Sequence, residues 1–262
     1  MTTLLVARLR AAGCVFAEAE VDMLVAAAST PAELAAMVER RCEGLPLEHV
    51  VGWAEFCGLR VHIDPGTFVP RPRTELLVRE AIALGGSAQV PTGGLVVLDL
   101  CCGSGAIAMV LAAALGGVEL YAADVDPAVV ACARLNLEPL GAWVFEGDLF
   151  EPLPQSLRGR VKILTANVPY VPTAAIALLP TEARAYEPLV ALDGGTDGLD
   201  VLRRVAAAAS TWLAPGGHLL FETSHHQAAL ARQILTANAL APRTVSDEDL
   251  GATVIIGTKP VD

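Results

Sequence analysis

The sequence predicts an α/β protein in which a doubly wound, mostly parallel sheet follows a small helical unit and a linking β-hairpin. The first observation is a series of short apolar runs, LVVLDLC, ELYAADV, AWVFEGDL, VKILTANVP, GHLLFET and TVIIGTK, separated by stretches of helical periodicity. Such alternation builds βαβ units, because each strand returns to the same sheet edge through a helix that covers its face. The second is composition: 53% hydrophobic residues but only 5% aromatic, rich in Ala, Leu, Val and Gly, suits strands buried on both faces. The third is length, since 262 residues allow one large domain, or a large one with a small one.

Residues 1–52 read as a helical N-terminal domain. Apolar residues recur at helical spacing from Leu4 to Glu43, with breaks at Gly13 and at Ser29-Thr30-Pro31. Thr30 is placed to cap a helix, with Pro31 at its first position and Glu33 at its third. Residues 53–72 alternate apolar and polar in WAEFCGLRVHIDPGTFVP and contain Asp64-Pro65-Gly66, which predicts a hairpin turning there. Residues 73–262 form the large domain: a helix from Thr74 to Ala83, the loop GGSAQVPTGG, then the alternating units. Between the last two runs lie one helix and APRTVSDED, which allows a closing hairpin at the sheet edge.

Charge excludes a class of partner. A net charge of -11 and a pI near 4.9 oppose general attraction to phosphate backbones, and no direct nucleic-acid binding is expected. Arg40-Arg41 and the group Arg71, Arg73 and Arg79 are the local basic candidates, the first pair reading as solvated arginines on a helix face. The six cysteines, Cys14, Cys42, Cys57, Cys101, Cys102 and Cys132, show no CxxC spacing and no secretory leader precedes them, so reduced thiols in a cytoplasm are expected, with no bound metal. No apolar run is long enough to predict a membrane span.

VLDLCCGSGAIA, Val97 to Ala108, is a strand ending in a glycine-bearing turn that opens a helix. Gly103 and Gly105 let a ligand lie against the backbone, and the helix start offers free N–H groups. About 20 residues on, the second strand ends in Asp124, placed to accept from both ribose hydroxyls of a nucleoside. Ala108 stands where a dinucleotide motif has its third glycine, and Asp99 would repel pyrophosphate. An acid there suits the ammonium and sulfonium of S-adenosylmethionine instead. Asp126 and Pro127 begin the next helix, Asp126 as its cap.

With a methyl donor at one side, LTANVPYVPT, Leu164 to Thr173, acquires a role. It leaves the fourth strand at the sheet edge where ligands of such folds bind. A planar amide or amino nitrogen is a poor nucleophile, but the Asn167 side-chain oxygen and the Val168 carbonyl can hold both its hydrogens and aim its lone pair at the methyl carbon. Pro169 stiffens the loop and Tyr170 can stack on the flat group. Further along, His225-His226 read as a helix start, Glu222 as a substrate contact or a cap, and Tyr186 with Glu187 as shaping a lid. Trp53, Trp143 and Trp212 read as core.

These residues together resemble a known family. FVPRPRTELLV, DLCCGSGAIA, AADVDPAVV, GDLFEPL, NVPY, EPLVALDGGTDGLDVLRR and LAPGGHLLFET are similar to motifs of the HemK/PrmC protein-(glutamine-N5) methyltransferases, along nearly the whole chain. The resemblance implies a Rossmann-like class I S-adenosylmethionine-dependent methyltransferase with a seven-stranded, mostly parallel sheet. Its substrate would be the Gly-Gly-Gln glutamine of class I peptide chain release factors. Apart from the resemblance, a monomer in the cytoplasm is expected. By that match Cys101, Cys102, Gly103, Ser104, Gly105, Asp124, Asp148 and Leu149 hold the cofactor, with Asp99 and Asn167 beside it, and Asn167 to Tyr170 hold the substrate amide. Three departures stand out. Val168 replaces the family's first proline but keeps its carbonyl, Arg73 stands where the family has an acid, and Cys101-Cys102 replace Gly-Thr as small packing residues. Alternatives are methylation of an exocyclic amino group of nucleic acid, of a small-molecule amide, or a non-catalytic cofactor-binding adaptor.

Overall fold

The computed structural model describes residues 2–87 and 94–261. Four helices come first: α1 (Thr2–Ala11), α2 (Ala17–Ala27), α3 (Pro31–Cys42) and α4 (Leu47–Val51). They share a core built from Leu9, Val21, Leu24, Met37 and Val38. The expected capping of α3 is present, with Thr30 Oγ1 accepting from Glu33 N at 3.1 Å and Glu33 reaching back to Ser29 N at 2.7 Å.

Strands β1 (Trp53–Phe56) and β2 (Leu59–His62) make the hairpin. It turns at Cys57-Gly58, not at the expected Asp64-Pro65-Gly66. Both turn residues have positive φ, 49° and 75°, which matches the twist of a two-residue hairpin loop. Asp64 instead closes a separate turn, its carbonyl accepting from Thr67 N. Helix α5 runs Glu75–Ser87, through the two glycines expected to begin the loop; residues 88–93 of that loop lie outside the described residues.

The large sheet alternates β3 (Leu95–Leu100), α6 (Ala106–Leu115), β4 (Val118–Asp124), α7 (Pro127–Leu137), β5 (Trp143–Glu146) and β6 (Val161–Ala166). Then come the short helices α8 (Thr181–Tyr186) and α9 (Leu189–Leu192), α10 (Asp200–Trp212), β7 (Leu213–Thr223), α11 (Ala228–Ala237), β8 (Ala241–Asp247) and β9 (Ala252–Thr258). Seven strands lie in the order β5-β4-β3-β6-β7-β9-β8, parallel except for β9, which is antiparallel to β7 and β8. The reversal of direction about β3 and β6 opens a crevice at their carboxyl ends. Leu98 and Leu164, paired on β3 and β6, are wholly buried, each burial contributing about 1.5–3 kcal/mol.

Two expectations about aromatic and basic residues fail. Trp212 is core, but Trp143 on the edge strand β5 is half exposed and stacks on Tyr121 at 4.8 Å, and Trp53 lies under Arg60. Arg41 is not solvated: its side chain is 10% exposed and bridges Glu20 and Glu182, both at 2.6 Å, joining α2, α3 and α8.

Candidate active site

Asp124 ends β4, and its Oδ2 accepts from Gly103 N at 3.0 Å while Oδ1 accepts from Asp126 N at 3.2 Å. These bonds fix the carboxylate at the lip of the glycine turn, where burial raises its proton affinity. At Gly103 (φ 57°) a Cβ would project into open space, so the backbone itself forms the wall there. Cys101 and Leu149 adopt positive φ, 53° and 51°, a rare conformation for residues with side chains and a mark of a constrained loop. Burial pushes both the Cys101 and Cys102 thiols up, which leaves them neutral packing groups, not nucleophiles. As expected, Asp126 caps α7, accepting from Ala128 N at 2.8 Å.

These residues surround a cavity of about 440 Å³, in the range of small-molecule sites. It brings together Cys101, Cys102, Gly103, Ser104, Asp124, Asp148, Leu149, Asn167, Val168, Pro169 and Tyr170. Two residues expected at the cofactor do not line it. Gly105 (φ 80°) starts α6 from beneath, where a Cβ would strike the buried Leu137 at 2.7 Å.

Asp99 is the other. Its register on β3 points it at Thr165 of β6, whose hydroxyl donates to Asp99 Oδ1 at 2.7 Å, while Oδ2 is buried without a partner among the described residues. Complete burial pushes its carboxyl up to about 7. The folded state therefore keeps a proton that an unfolded Asp releases near about pH 4. Stability fully present below that value is lost as the pH rises through about 7. Asp99→Asn should flatten this fall, a difference of at most about 3 kcal/mol between about pH 5 and about pH 8. Urea unfolding of the ligand-free protein at both values measures it.

Across the cavity stands the loop after β6. Asn167 Oδ1 is a buried acceptor that has no partner among the described residues. The loop is gripped by the segment LDGGTDGLD, residues 192–200: Val171 N donates to Leu192 O at 3.0 Å, Gly194 N to Val171 O at 2.9 Å and Thr173 N to Gly195 O at 2.9 Å. A Cβ on Gly194 would sit 2.7 Å from Pro169 O and 2.6 Å from Gly198 O, both backbone atoms that cannot yield cheaply. Gly194→Ala should cost about 2 kcal/mol or more in denaturant unfolding and displace the loop.

Sequence reasoning missed Arg204, which pairs with Asp148, and Phe56, Phe68 and Val201 on the cavity wall. It also missed the partners of the basic residues. Arg71 pairs with Glu187, Arg73 with Glu222 at 3.0 Å and Arg79 with Asp247 at 2.8 Å, so none of the three is a free cation. Glu222 neither caps a helix nor lines the cavity; it accepts the Tyr170 hydroxyl at 2.5 Å. Glu187 does line the cavity, whereas Tyr186 does not; its hydroxyl donates to Glu43 O beside the N-terminal helices at 3.0 Å. Elsewhere, His62, Asp64 and Cys132 gather their ligand atoms within 4.8 Å, but they satisfy one another: His62 Nε2 lies 3.0 Å from Asp64 Oδ1, and the Cys132 thiol donates to His62 O.

Comparison with known proteins agrees with this geometry. Residues 97–189 match the family described as "Methyltransferase domain". A release factor glutamine methyltransferase of Geobacter sulfurreducens is 38% identical over 232 residues, 87% of this chain and 78% of its own. A 4-amino-L-phenylalanine/4-methylamino-L-phenylalanine methyltransferase of Streptomyces pristinaespiralis is 35% identical over 222 residues, 84% of this chain and 75% of its own. Among solved structures, a methyltransferase from Pyrococcus furiosus is similar in fold, with a TM-score of 0.58 at 15% identity, covering 79% of this chain and 91% of that one. A glycine turn with a distal acid on one wall, an unpartnered asparagine on the other and this extent of identity together place the chain in the release factor glutamine methyltransferase family, whose members depend on S-adenosylmethionine.

Proposed function

We propose that this protein methylates the side-chain amide nitrogen (N5) of a protein glutamine, the one in the Gly-Gly-Gln loop of class I peptide chain release factors. The observation that carries the reading is the unpartnered, buried Oδ1 of Asn167, a residue that lines the same cavity as Asp124 and the glycine turn. A buried acceptor without a donor is costly, so its partner is supplied by what binds there.

The cavity suits S-adenosylmethionine: the Asp124 carboxylate is held at its lip for ribose hydroxyls, and the open face of Gly103 admits a ligand to van der Waals contact with the backbone. When bound, that cofactor supplies a methyl carbon made electrophilic by the neighbouring sulfonium. Asn167 Oδ1 and the Val168 carbonyl accept the two amide hydrogens and so fix the direction of the nitrogen lone pair. As positive charge develops on that nitrogen, the same two oxygens stabilise it, and no general base is required until the proton leaves. Tyr170 offers its ring to the planar group.

Residues 1–52 are the proposed recognition unit, 53–72 its linker and 73–262 the catalytic unit, acting as a monomer in the cytoplasm. No helix among the described residues is long and apolar enough to cross a membrane. The pairing of Arg71, Arg73 and Arg79 with carboxylates leaves little for a nucleic-acid backbone to bind.

A second reading, methylation of an aryl amine on a free amino acid, is favoured by the Streptomyces relative. It requires a cation for the amino acid's carboxylate, and the three arginines that line the cavity, Arg71, Arg73 and Arg204, are already paired. Radiolabelled methyl transfer decides: label entering a purified release factor, but neither the same factor lacking its Gly-Gly-Gln glutamine nor free 4-aminophenylalanine, is the expected result. Label in the free amino acid alone would replace the first reading by the second.

A further inference from the structure

Glu222, near the end of β7, is 3% exposed and has both oxygens engaged. Oε1 accepts from the Tyr170 hydroxyl at 2.5 Å and forms an ion pair with Arg73, whose Nε lies 3.0 Å away, and Oε2 accepts from Thr74 Oγ1 at 2.7 Å. One carboxylate thus joins the loop after β6, the turn before α5 and strand β7. A buried carboxylate is tolerable only with such partners. Arg73 supplies the charge, its guanidinium also lying 5.9 Å from the Tyr170 ring centre. Tyr170 is held at its other end too, since its carbonyl accepts from Gln227 Nε2 at 2.9 Å.

We propose that Glu222 is the positioning residue of the methyl-acceptor loop, fixing Asn167 to Tyr170 through the Tyr170 hydroxyl, and that Arg73 serves as its counter-charge and not as a substrate anchor. The kinetic part rests on the glutamine-methylation reading. Val168 stands where a proline ring would have stiffened the stretch Asn167 to Tyr170, whose one proline, Pro169, leaves the backbone freer before Tyr170. A side-chain tether from the tyrosine to a rigid central strand restores the constraint, and a carboxylate can accept from tyrosine and threonine on separate oxygens while pairing with arginine, whereas the amide of Glu222→Gln keeps an acceptor for the tyrosine alone. The charge reversal at position 73 then has a local reason. An acid there would set a second negative charge against Glu222, whereas Arg73 neutralises it and leaves the acceptor site without net charge beside a nitrogen that becomes positive.

The test pairs Glu222→Ala with Tyr170→Phe, which removes one hydroxyl and threatens the fold least, and adds Glu222→Gln as the conservative variant. Amide hydrogen exchange of residues 167–173 reads the loop with no substrate present. Both Glu222→Ala and Tyr170→Phe should speed exchange at Val171 and Thr173 by about tenfold or more, and the double variant no further, because the two side chains act as one link. In methyl transfer to a purified release factor, each should lower kcat more than it raises KM, with cofactor affinity within about threefold of wild type, and Glu222→Gln should recover a large part of kcat. Unchanged loop exchange in Glu222→Ala, or losses that multiply in the double variant, would overturn the proposal. Absence of transfer by the wild type would count against the reading of function instead, leaving the exchange data to decide the tether.

Discussion

Asn167→Ala is expected to lower kcat for methyl transfer by about 10²- to 10³-fold while leaving S-adenosylmethionine affinity within about threefold. The magnitude follows from what one preorganised polar partner of a charge-developing atom contributes in a water-poor site. Asn167 Oδ1 is buried and has no other bond to make among the described residues, so its removal takes nothing from the ligand-free fold. The variant should unfold at close to the wild-type denaturant concentration. Asn167→Asp sharpens the test, because it keeps an acceptor but adds a charge. Single-turnover kinetics with saturating cofactor separates the chemical step from binding. A kcat within threefold of wild type in Asn167→Ala would mean that the amide hydrogens are held elsewhere.

Asp124→Ala should act at the opposite end of the cavity and on the opposite parameter. Removal of a carboxylate that bonds two hydroxyls costs about 1.5–3 kcal/mol, or about 10- to 150-fold in cofactor dissociation constant. Here the loss includes the Gly103 N–H, which donates to Asp124 at 3.0 Å and would be left without its acceptor. Asp124→Asn retains one acceptor and should lose less. Calorimetric titration with S-adenosylhomocysteine, which needs no acceptor substrate, measures both. Binding unaffected by Asp124→Ala would place the nucleoside elsewhere.

The parts of this molecule that sequence reveals are those whose cause is local. The turn in DLCCGSGAIA, the cap at Asp126 and the capping of α3 by Thr30 depend on neighbours a few residues away, and they stand where expected. The runs that became β3, β4 and β6 are legible because both faces are covered, which leaves little room for polar residues. Strand β8 was only implied by the space between two runs. It lies at the sheet edge, is nowhere fully buried and carries Pro242, so APRTVSD has the composition of a loop.

Long-range partners were not legible. Asp99 looked like a cofactor contact because it precedes the glycine turn, but its facing is decided by the β3–β6 register, which spans 66 residues of chain to Thr165. Glu222 meets Thr74 across 148 residues, and no pattern within strand β7 announces it. The segment GGTDGLD was recognisable as a motif, yet the reason for its glycines appears only where Gly194 and Gly198 pass within van der Waals contact of the acceptor loop's carbonyls. The turn of the β1–β2 hairpin was misplaced because Asp-Pro-Gly is the stronger turn signal, while Cys57 adopts a left-handed conformation that cysteine seldom shows.

The measurement closest to the central claim is tandem mass spectrometry of a purified class I release factor after incubation with the 262-residue chain and S-adenosylmethionine, locating any added methyl by residue and atom. A single methyl on the amide nitrogen of the Gly-Gly-Gln glutamine, absent when the enzyme carries Asn167→Ala, is the predicted result. A methyl on any other residue, or on that glutamine with Asn167→Ala as active as wild type, would contradict the account.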